Sequence, residues 1–524
     1  MSIVLSGFSA TGKSTLGPLV AREVGLPFLD LDEEIARRTG VSIPDLWRER
    51  GEPAFRTIER EVAGELLRDG VRRVLAFGGG TVTCRETRRL ALERAVVVTL
   101  TAAPRSLRAR LGGSGDRPVL QGLDADRFTE LFEQRASGYA ECHFRVTTDV
   151  LSIEEAATVI AREARRSRVA VPLGLRSYCV EVVDDAPNVT VATVADLRPT
   201  SVVVVTDDVV RVARAAPLLA ITDALKAAGT PVVEVTLPNG ETRKTLDSVS
   251  AVWDAALAGG IDRHAVVLAI GGGVVGDLAG FAASTLLRGV RVVQAPTTLL
   301  AMVDASVGGK TGFDHPHGKN LLGSFHQPSA VIADVAHLTT LPRRLLTAGL
   351  AEVAKIALTS DARLWEELET RADDLAREPP ARLASIISRC VTLKSRIVSD
   401  DELETGARLT LNFGHTVGHA VEALSGFSML HGEAVAIGMV AELEALERLG
   451  MGSSALVDRV RTLLRRLRLP TEIPASERAT LARHWMSDKK RVAHHLRIPC
   501  VRTIGAASVE VVTIDDFTHA VCDR

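Results

Sequence analysis

The sequence lacks the features that mark nucleic-acid-binding, membrane or disulfide-stabilised proteins. Its formal net charge is only −2 over 524 residues, so it has no strong basic field for polyanions or anionic membranes. Its 6 cysteines are scattered without a CxxC spacing, which argues against a disulfide framework or a zinc ribbon and fits a reducing, cytoplasmic compartment. We therefore expect small-molecule partners, with no nucleic acid and no membrane.

Long uncharged apolar runs are also missing. The most apolar window, residues 265–287, contains Asp277 and five glycines, so it predicts a strand, a glycine turn and a buried helix rather than a membrane span. The N-terminal stretch MSIVLSGFSATGK has no basic region and no cleavage-site pattern, so we expect no signal peptide. The apolar share of 46% is enough for hydrophobic cores. A chain of this length predicts about two to four domains.

Strand and helix patterns divide the chain. Over residues 1–165, strand-like runs such as SIVLSG and AVVVTLTA alternate with amphipathic helical stretches, which is typical of a parallel, doubly wound sheet. A basic stretch then meets Pro172, and we place a linker at residues 166–172. A Rossmann-like α/β lobe is predicted over residues 173–340, from the buried strands SVVVVTDD and HAVVLAIGGG. Strand signals then nearly vanish, so residues 341–524 are predicted to form a mostly α-helical lobe.

A phosphate-binding signature opens the first domain. Residues 7–15 read GFSATGKST and match GxxxxGK[ST] between a strand and an apparent helix. Backbone N–H groups of such a turn cradle phosphate, Lys13 reaches the outer phosphates, and the Ser14 hydroxyl can bind Mg²⁺. The motif therefore predicts a P-loop kinase fold that binds ATP with Mg²⁺, against the alternative of a glycine turn without a ligand. The expected contacts are Gly7, Gly12, Lys13, Ser14 and Thr15.

Later motifs give this domain a family resemblance. The P-loop is followed, in order, by LDLDEEI with Asp32, RGEPAFRTIE with Arg56, FGGG with Gly78, Gly79 and Gly80, GDRPVL with Arg117, and EQRASGY with Arg135. No later motif is specific alone, since a lone arginine is usually a solvated surface residue. Together with the P-loop, the series resembles shikimate kinase over residues 1–165.

The resemblance assigns roles to these residues. Asp32 would contact the accepting hydroxyl as base or orienter, and Arg56 and Arg135 would hold the shikimate carboxylate. The three glycines would line the ring, and Arg117, on a lid, would touch ATP and take part in catalysis with Lys13. Taken alone, Asp32 could instead be the N-cap of a helix that begins at EEIARR.

The rest of the chain carries a second and denser resemblance. The motifs are GGGVVGDLAGF, RGVRVVQAPTTLLAMVDASVGGKTGFD, GKNLLGSFHQP, GLAEVAK, LNFGHTVGHAVE and HGEAVAIGM. With them, the region from about residue 169 to 524 resembles 3-dehydroquinate synthase and, more broadly, the sugar-phosphate cyclases.

The second resemblance implies a bound NAD⁺. Asp207 ends a predicted strand, where an acidic side chain can accept ribose hydroxyls. The triplet Gly271-Gly272-Gly273 follows a buried strand and lets the backbone approach a pyrophosphate, although judged alone it could be an ordinary tight turn. The remaining nucleotide contacts implied by the family are Glu241, Lys244, Asp277, Thr297, Thr298 and Lys319.

A divalent metal, Zn²⁺ or Co²⁺, is also implied. Spacing alone would pair His415 with His419, because residues four apart share one helix face. The family instead uses His415 and His431 with Glu352, and it places His419 beside the substrate, where it takes part in catalysis. A carboxylate with two imidazoles suits Zn²⁺ and leaves room for substrate oxygens.

Many further polar residues match substrate-binding positions of the family. Such a set fits a phosphorylated, polyhydroxylated acid, with cations for phosphate and carboxylate. Lys310 and Glu404 match catalytic positions, with Glu404 as the acid/base. The substrate contacts are Arg288, Asp304, Lys310, Asn320, Lys355, Lys394, Arg408, Asn412, His419 and Lys490. The sequence leaves the choice between Lys489 and Lys490 open, because the residues after them depart from the family pattern.

The two resemblances predict a bifunctional enzyme of the shikimate pathway. One half would phosphorylate shikimate, and the other would convert 3-deoxy-D-arabino-heptulosonate 7-phosphate to 3-dehydroquinate and phosphate, with NAD⁺ regenerated in each turnover. For the C-terminal half, the alternatives are another sugar-phosphate cyclase or a metal-dependent alcohol dehydrogenase of related fold. For the N-terminal half, they are another small-metabolite kinase or a nucleotide-sensing module. Related synthases are commonly dimers, which implies a homodimer through the C-terminal half.

Overall fold

The computed structural model describes residues 1–111, 124–426, 428–474, 481, 491–492 and 494–522. The chain divides into two compact units, Met1–Cys179 and Val180–Arg524. The division falls within one strand, Tyr178–Val183.

The first unit contains a parallel sheet with helices on both faces. The strands of this sheet are β1 (Ser2–Gly7), β2 (Phe28–Asp30), β3 (Val74–Ala76), β4 (Ala95–Thr101) and β5 (Phe144–Thr147), and a further strand, β6 (Arg168–Val171), is not part of it. Its helices are α1 (Lys13–Val24), α2 (Leu31–Thr39), α3 (Ile43–Arg68), α4 (Arg85–Arg94), α5 (Pro104–Leu111), α6 (Ala125–Ala140) and α7 (Ile153–Glu163). The strand order is β2-β3-β1-β4-β5, and every pairing is parallel. The predicted doubly wound sheet is confirmed.

Alternation along β1 explains why both faces are covered. Ile3 and Leu5 lie in one apolar core with Val20 of α1, whereas Val4 between them lies in a second core with Ile35 of α2. Successive side chains of a strand point to opposite faces, so a strand that is apolar throughout must be buried on both. The strand order also reverses at β1, and in open α/β sheets ligands bind at the carboxyl end of the strand where this happens. The P-loop begins at that position.

The second unit has a larger parallel sheet. Its α/β strands are β7 (Tyr178–Val183), β8 (Val202–Asp207), β9 (Val232–Leu237), β10 (Val266–Gly271), β11 (Arg291–Pro296), β12 (Lys310–His315), β13 (Gly318–Phe325) and β14 (Ala330–Asp334). The accompanying helices are α8 (Pro187–Asp196), α9 (Asp208–Ala213), α10 (Ala215–Ala227), α11 (Leu246–Ala258) and α12 (Gly273–Thr285). From β7 the parallel order runs β7-β14-β11-β10-β8-β9, while β12 and β13 form an antiparallel hairpin. The order reverses between β8 and β10, so their carboxyl ends form the expected ligand crevice.

A helical lobe follows, as predicted. Its helices are α13 (Arg343–Ser360), α14 (Ala362–Arg371), α15 (Ala384–Asp400), α16 (His415–Leu424), α17 (His431–Arg448), α18 (Ser454–Arg466) and α19 (Ile514–Cys522). Near its end, β15 (Arg491–Val492), β16 (His495–Thr503) and β17 (Ala506–Thr513) form an antiparallel sheet that the helical patterns did not predict.

The apolar window at residues 265–287 folds as predicted. Strand β10 leads through the glycine turn into α12, and the strand is buried throughout its length. Within the described part of the chain, no helix has the length and apolar character needed to cross a membrane.

Candidate active sites

The P-loop of the first unit has the backbone geometry that an anion site needs. Gly7, Ala10 and Gly12 have φ values of 139°, 65° and 95°, and a Cβ at Gly7 would lie 2.5 Å from the carbonyl oxygen of Leu100. Lys13 begins α1, and its Nζ donates to the carbonyl oxygens of Gly7 at 2.8 Å and Phe8 at 2.9 Å. The lysine therefore lies over the turn whose backbone would hold a phosphate, beside the positive end of the α1 dipole.

Two acidic residues, Asp30 and Asp32, lie at the start of α2, and only one of them is the N-cap of the helix. Asp30, not Asp32, is the N-cap, because its carboxylate accepts from the N–H of Asp32 at 3.0 Å. Asp30 also accepts from the Ser14 hydroxyl at 2.7 Å, which joins α2 to the P-loop. The N-cap alternative for Asp32 is therefore wrong, and its carboxylate faces the glycine segment instead. A Cβ at Gly78 would lie 3.0 Å from Asp32 Oδ1.

The glycine segment after β3 brings the other predicted residues together. A Cβ at Gly79 would lie 3.1 Å from Oγ of Ser9 in the P-loop, and one at Gly80 would overlap the guanidinium of Arg56. Arg135 donates to the carbonyl oxygen of Gly79 at 3.1 Å. Only glycine permits this close approach. The P-loop, both arginines and Asp32 therefore surround one segment of bare backbone.

Arg56 is held in place by a carboxylate that the sequence reasoning missed. Glu59 is buried one turn along α3, and its Oε2 accepts from Arg56 Nη1 at 2.7 Å. Its Oε1 accepts from the Thr81 hydroxyl at 2.6 Å, next to the glycine segment. An i, i+3 acid–base pair on a predicted helix was the available signal.

The second unit contains a cavity of about 790 Å³ that begins at the switch between β8 and β10. Asp207, Gly272, Gly273, Thr297 and Thr298 line this end. Gly271 lies beneath the turn, where its carbonyl oxygen accepts from the N–H of Thr297 at 2.9 Å. Among the described residues, the buried hydroxyl of Thr297 has no hydrogen-bond partner.

Charged pairs connect the nucleotide end to the middle of the cavity. Lys244 Nζ donates to Asp277 at 2.6 Å and to the amide oxygen of Asn320 at 2.6 Å. Lys319 Nζ donates to Glu241 at 2.7 Å and to Glu422 at 2.7 Å. The predicted nucleotide residues thus share one cavity wall, and Glu422 extends this wall toward the histidines.

Three histidines and a buried glutamate form the far end. His415, His419 and His431 each offer a ring nitrogen, and these atoms lie within 4.8 Å of one another. Glu352 Oε1 lies 3.6 Å from Nε2 of His415 and 3.4 Å from Nε2 of His431. The predicted convergence of Glu352 with both distant histidines is present in the structure, and His419 joins the same cluster.

The electrostatics of this cluster favour a positive charge. Burial alone would lower the pKa of His431, but the carboxylates of Glu352 and Glu422 raise it to about 10. Glu352 is fully buried, and its Oε2 is paired with Lys355 Nζ at 2.5 Å, whereas its Oε1 has no hydrogen-bond partner among the described residues. Buried carboxylate oxygens of this kind are normally paired or bound to a metal.

Cations and amides line the wall beside the histidines. Lys394 donates to Asp304 at 2.5 Å, and Lys355 Nζ lies 4.0 Å from the same carboxylate. Lys310 Nζ lies 2.5 Å from Glu404, whose other oxygen accepts from the amide of Asn412. Arg408, also on this wall, is almost fully buried and donates to the carbonyl oxygen of Gly308 at 2.9 Å.

Two buried glutamates in the helical lobe were missed by the sequence reasoning. Glu422 follows His415 by seven residues, so it occupies the same helix face, and its Oε2 accepts from His431 Nδ1 at 3.3 Å. Glu442 of α17 accepts from the N–H groups of Gly414, Thr416 and Val417 at the start of α16. An acidic residue within the apolar stripe of AVAIGMVAELEAL was the signal for Glu442.

Three predicted residues are not placed in these sites. Arg117 and Lys490, together with its alternative Lys489, lie outside the described residues. Arg288 is described, with a φ of 66°, but it does not line the cavity of this unit.

The two units together define a bifunctional enzyme, a P-loop kinase followed by an α/β enzyme whose cavity joins a nucleotide-type crevice to a histidine cluster. The shikimate kinase family model matches residues 9–165. Models described as 3-dehydroquinate synthase N-terminal and C-terminal match residues 234–348 and 349–491. The chain belongs to the 3-dehydroquinate synthase family and carries a shikimate kinase domain fused before it.

Individual relatives agree with this assignment. A 3-dehydroquinate synthase of Methylococcus capsulatus is 47% identical over 319 residues, which cover 60% of this chain and 88% of the relative. A 3-dehydroquinate synthase of Geobacter metallireducens is 44% identical over 302 residues, which cover 57% of this chain and 83% of the relative. Among solved structures, the 2-epi-5-epi-valiolone synthase ValA of Streptomyces hygroscopicus, with NAD⁺ and Zn²⁺ bound, has a TM-score of 0.59 and 31% identity over 66% of this chain and 95% of its own. A 2-deoxy-scyllo-inosose synthase with 24% identity shares the fold, with a TM-score of 0.60 over 68% of this chain and 99% of its own.

Proposed function

We propose that the chain catalyses two reactions at separate sites. The first unit phosphorylates shikimate to shikimate 3-phosphate with ATP. The second converts 3-deoxy-D-arabino-heptulosonate 7-phosphate to 3-dehydroquinate and phosphate. The observation that carries the second assignment is the single cavity in which a nucleotide-type crevice, a histidine–carboxylate cluster and a set of lysines, arginine and asparagine meet.

In the kinase, catalysis consists of positioning and charge neutralisation. The P-loop backbone and Lys13 hold the ATP phosphates, and the Ser14 hydroxyl would hold Mg²⁺, which would supply neutralisation of phosphate charge. Arg56 and Arg135 hold the acceptor carboxylate against the glycine segment, since planar guanidinium groups match carboxylates. Asp32 accepts a hydrogen bond from the acceptor hydroxyl and orients it toward the phosphate. The contact between Gly79 and Ser9 supports this arrangement, because it puts the acceptor segment beside the P-loop.

In the synthase, the donor set fits a divalent metal. Glu352 supplies two buried carboxylate oxygens, and His415 and His431 supply ring nitrogens within 3.6 Å of one of them. Zn²⁺ or Co²⁺ held by these three residues would supply Lewis-acid polarisation of substrate oxygens. Glu422 accepts from the other nitrogen of His431 and thereby fixes the orientation of its ring.

The crevice at β8 and β10 fits NAD⁺. Bare backbone at Gly272 and Gly273 lets a pyrophosphate approach, Asp207 suits ribose hydroxyls, and the Thr297 hydroxyl has a hydrogen to donate. NAD⁺ would supply reversible oxidation of a ring alcohol. Lys244 and Lys319 are held by carboxylates at this end, which fixes the positions of both amines beside the nucleotide.

The substrate end fits an acid phosphate. Lys355, Lys394 and Arg408 are buried cations, and Asp304 and Glu404 hold two of the neighbouring lysines in place. Together these cations can bind the phosphate and carboxylate of the heptulosonate, while Asn412 and Asp304 suit its hydroxyls. Glu404 and His419 can move protons at the ring. An alcohol dehydrogenase needs no such anion-binding set, which favours the cyclase over that alternative.

Two assays of the whole purified chain test the proposal. Phosphate release from the heptulosonate phosphate is expected to need a metal and only catalytic NAD⁺, whereas NADH accumulating in step with product would contradict a cyclase. ATP consumption is expected to require shikimate, and turnover that ignores shikimate would contradict the kinase assignment. A second arm, with glucose 6-phosphate or sedoheptulose 7-phosphate as substrate, separates this activity from those of other sugar-phosphate cyclases.

Matched variants separate the two sites. Lys13→Ala is expected to abolish only the kinase reaction, because the lysine lies on the phosphate turn. His431→Ala is expected to abolish only the synthase reaction. Each variant is the control for the other, and loss of both reactions from either change would contradict independent sites. We also propose a cytoplasmic location, which the scattered cysteines without a CxxC spacing favour. A homodimer through the second unit is proposed as well, and light scattering of the chain measures it.

A further inference from the structure

A cysteine lies at the edge of the proposed acceptor site of the kinase. Cys84 lines a cavity of about 290 Å³ together with Arg56, Glu59, Arg60, Gly80 and Thr87. It is partly exposed, whereas Cys142, Cys390 and Cys500 are buried. The cavity walls carry two guanidinium groups against one carboxylate, so a small anionic molecule is the ligand that their charge favours.

The position of Cys84 favours its thiolate. It is the N-cap residue of α4, a helix of 10 residues, with φ −74° and ψ 116°. Partial burial opposes ionisation, but the backbone N–H groups of Thr87 and Glu86 lower the pKa of the Cys84 thiol. The thiolate is the nucleophilic form of cysteine, and helix N-termini and neighbouring arginines promote it.

An independent observation points to a ligand at this position. The Thr87 side chain is 3% exposed and lines the same cavity. Its Oγ1 is buried and has no hydrogen-bond partner among the residues that the structure describes. A buried hydroxyl without a partner is costly, so an acceptor such as a thiolate or an entering anion would satisfy it.

We propose that Cys84 is a modification site at which a small carboxylate-bearing disulfide switches off the kinase. The Cys84 thiolate attacks one sulfur of the disulfide, a new Sγ–S bond forms, and the original S–S bond breaks. The leaving thiolate takes the electron pair and is protonated by solvent. The attached group then occupies the cavity against Arg56 and excludes the acceptor. A free thiol reverses the exchange by the same route. This inference rests on the proposed role of Arg56 in acceptor binding.

The test treats the whole chain with glutathione disulfide and follows three readouts together. Peptide mass mapping is expected to find the first glutathionyl group on Cys84. Kinase activity is expected to fall in proportion to the modified fraction and to return with dithiothreitol, while synthase activity stays unchanged. Excess shikimate is expected to slow the modification. First modification of another cysteine, or full modification of Cys84 with unchanged kinase activity, would overturn the proposal.

Variants sharpen the result. Cys84→Ser is expected to remain unmodified and active after treatment, whereas Cys522→Ser, at another partly exposed position, is expected to behave like the wild type. If the untreated protein turns over ATP without shikimate, the proposed kinase function fails. Mass mapping then still reports separately whether Cys84 is the reactive thiol.

Discussion

Replacement of Glu442 by glutamine tests whether one buried carboxylate positions the histidine cluster. Glu442 is 1% exposed on α17, and its oxygens accept from the N–H groups of Gly414 at 2.8 Å, Thr416 at 2.9 Å and Val417 at 3.1 Å. These donors form the first turn of α16, the turn that carries His415. The carboxylate therefore acts as a cap supplied by a neighbouring helix, where negative charge also meets the positive end of the helix dipole.

The magnitude follows from the three bonds. A hydrogen bond to a charged group contributes about 1.5–3 kcal/mol, and a buried donor left unpaired costs about 1–3 kcal/mol. Glutamine keeps one acceptor oxygen for Thr416 and Val417 but turns an NH₂ group toward the Gly414 N–H, so one bond is lost and two lose their charge. We expect Glu442→Gln to lower the free energy of unfolding of the second unit by about 3–5 kcal/mol. That is a large part of the roughly 5–15 kcal/mol of a typical domain.

Hydrogen exchange read by mass spectrometry resolves this effect within the chain. Peptides that span residues 413–417 are expected to exchange faster in Glu442→Gln, with synthase activity reduced and shikimate kinase activity unchanged. Glu447→Gln, at a half-buried position on the same helix, is the matched control. A change in unfolding free energy within about 0.5 kcal/mol, the range of ordinary surface substitutions, would refute the reasoning.

Three further predictions follow from other buried contacts. Glu422→Gln is expected to weaken metal binding about 10–100-fold in chelator competition, because the Glu422 carboxylate accepts from His431 Nδ1 at 3.3 Å and orients its ring. Unchanged metal affinity would contradict that positioning role. Gly438→Ala is expected to destabilise the second unit to denaturant by about 1–3 kcal/mol or more, since its Cβ would overlap the carbonyl oxygen of Gly414. Burial and Arg168 lower the pKa of His143 from 6.5 to about 4, so the unfolded chain takes up the proton first. The free energy of unfolding of the first unit should therefore fall by about 3 kcal/mol as the pH is lowered from 6.5 to 4. His143→Gln should abolish this pH dependence, and its persistence in the variant would contradict the assignment.

Local patterns were sufficient for much of the fold. The strands SIVLSG and SVVVVTDD are buried on both faces, so their apolar runs stand out from the amphipathic helices around them. The P-loop is similarly local, because its turn, lysine and helix start lie within nine consecutive residues. The antiparallel strand β16 was missed because Pro499 and two arginines interrupt its apolar residues, and β17 was missed because most of its residues are only partly buried.

The sites were less accessible to sequence reasoning, because their contacts are distant. Asp30 and Asp32 are two residues apart, and either could cap a helix; the end of β2 at Asp30 decides between them. Glu352 and His431 are 79 residues apart in the numbering, and only the family resemblance placed them together before the fold did. Glu442 stands out in the sequence as an acidic residue within an apolar stripe, but its partners are backbone N–H groups, which the sequence does not identify.

The stretch GHTVGHAVE serves two purposes because a helix has separate faces. Gly414 and Gly418 are four residues apart and lie against α17, where a Cβ at Gly414 would lie 2.9 Å from the carbonyl oxygen of Val435. One residue further on, about 100° around the helix, His415 and His419 share the adjacent face with Glu422. The glycines let the two helix backbones touch, and this contact brings His431, at the start of α17, to 5.2 Å between ring centroids from His415. Replacing the glycines would therefore disrupt the histidine cluster without changing any of its side chains.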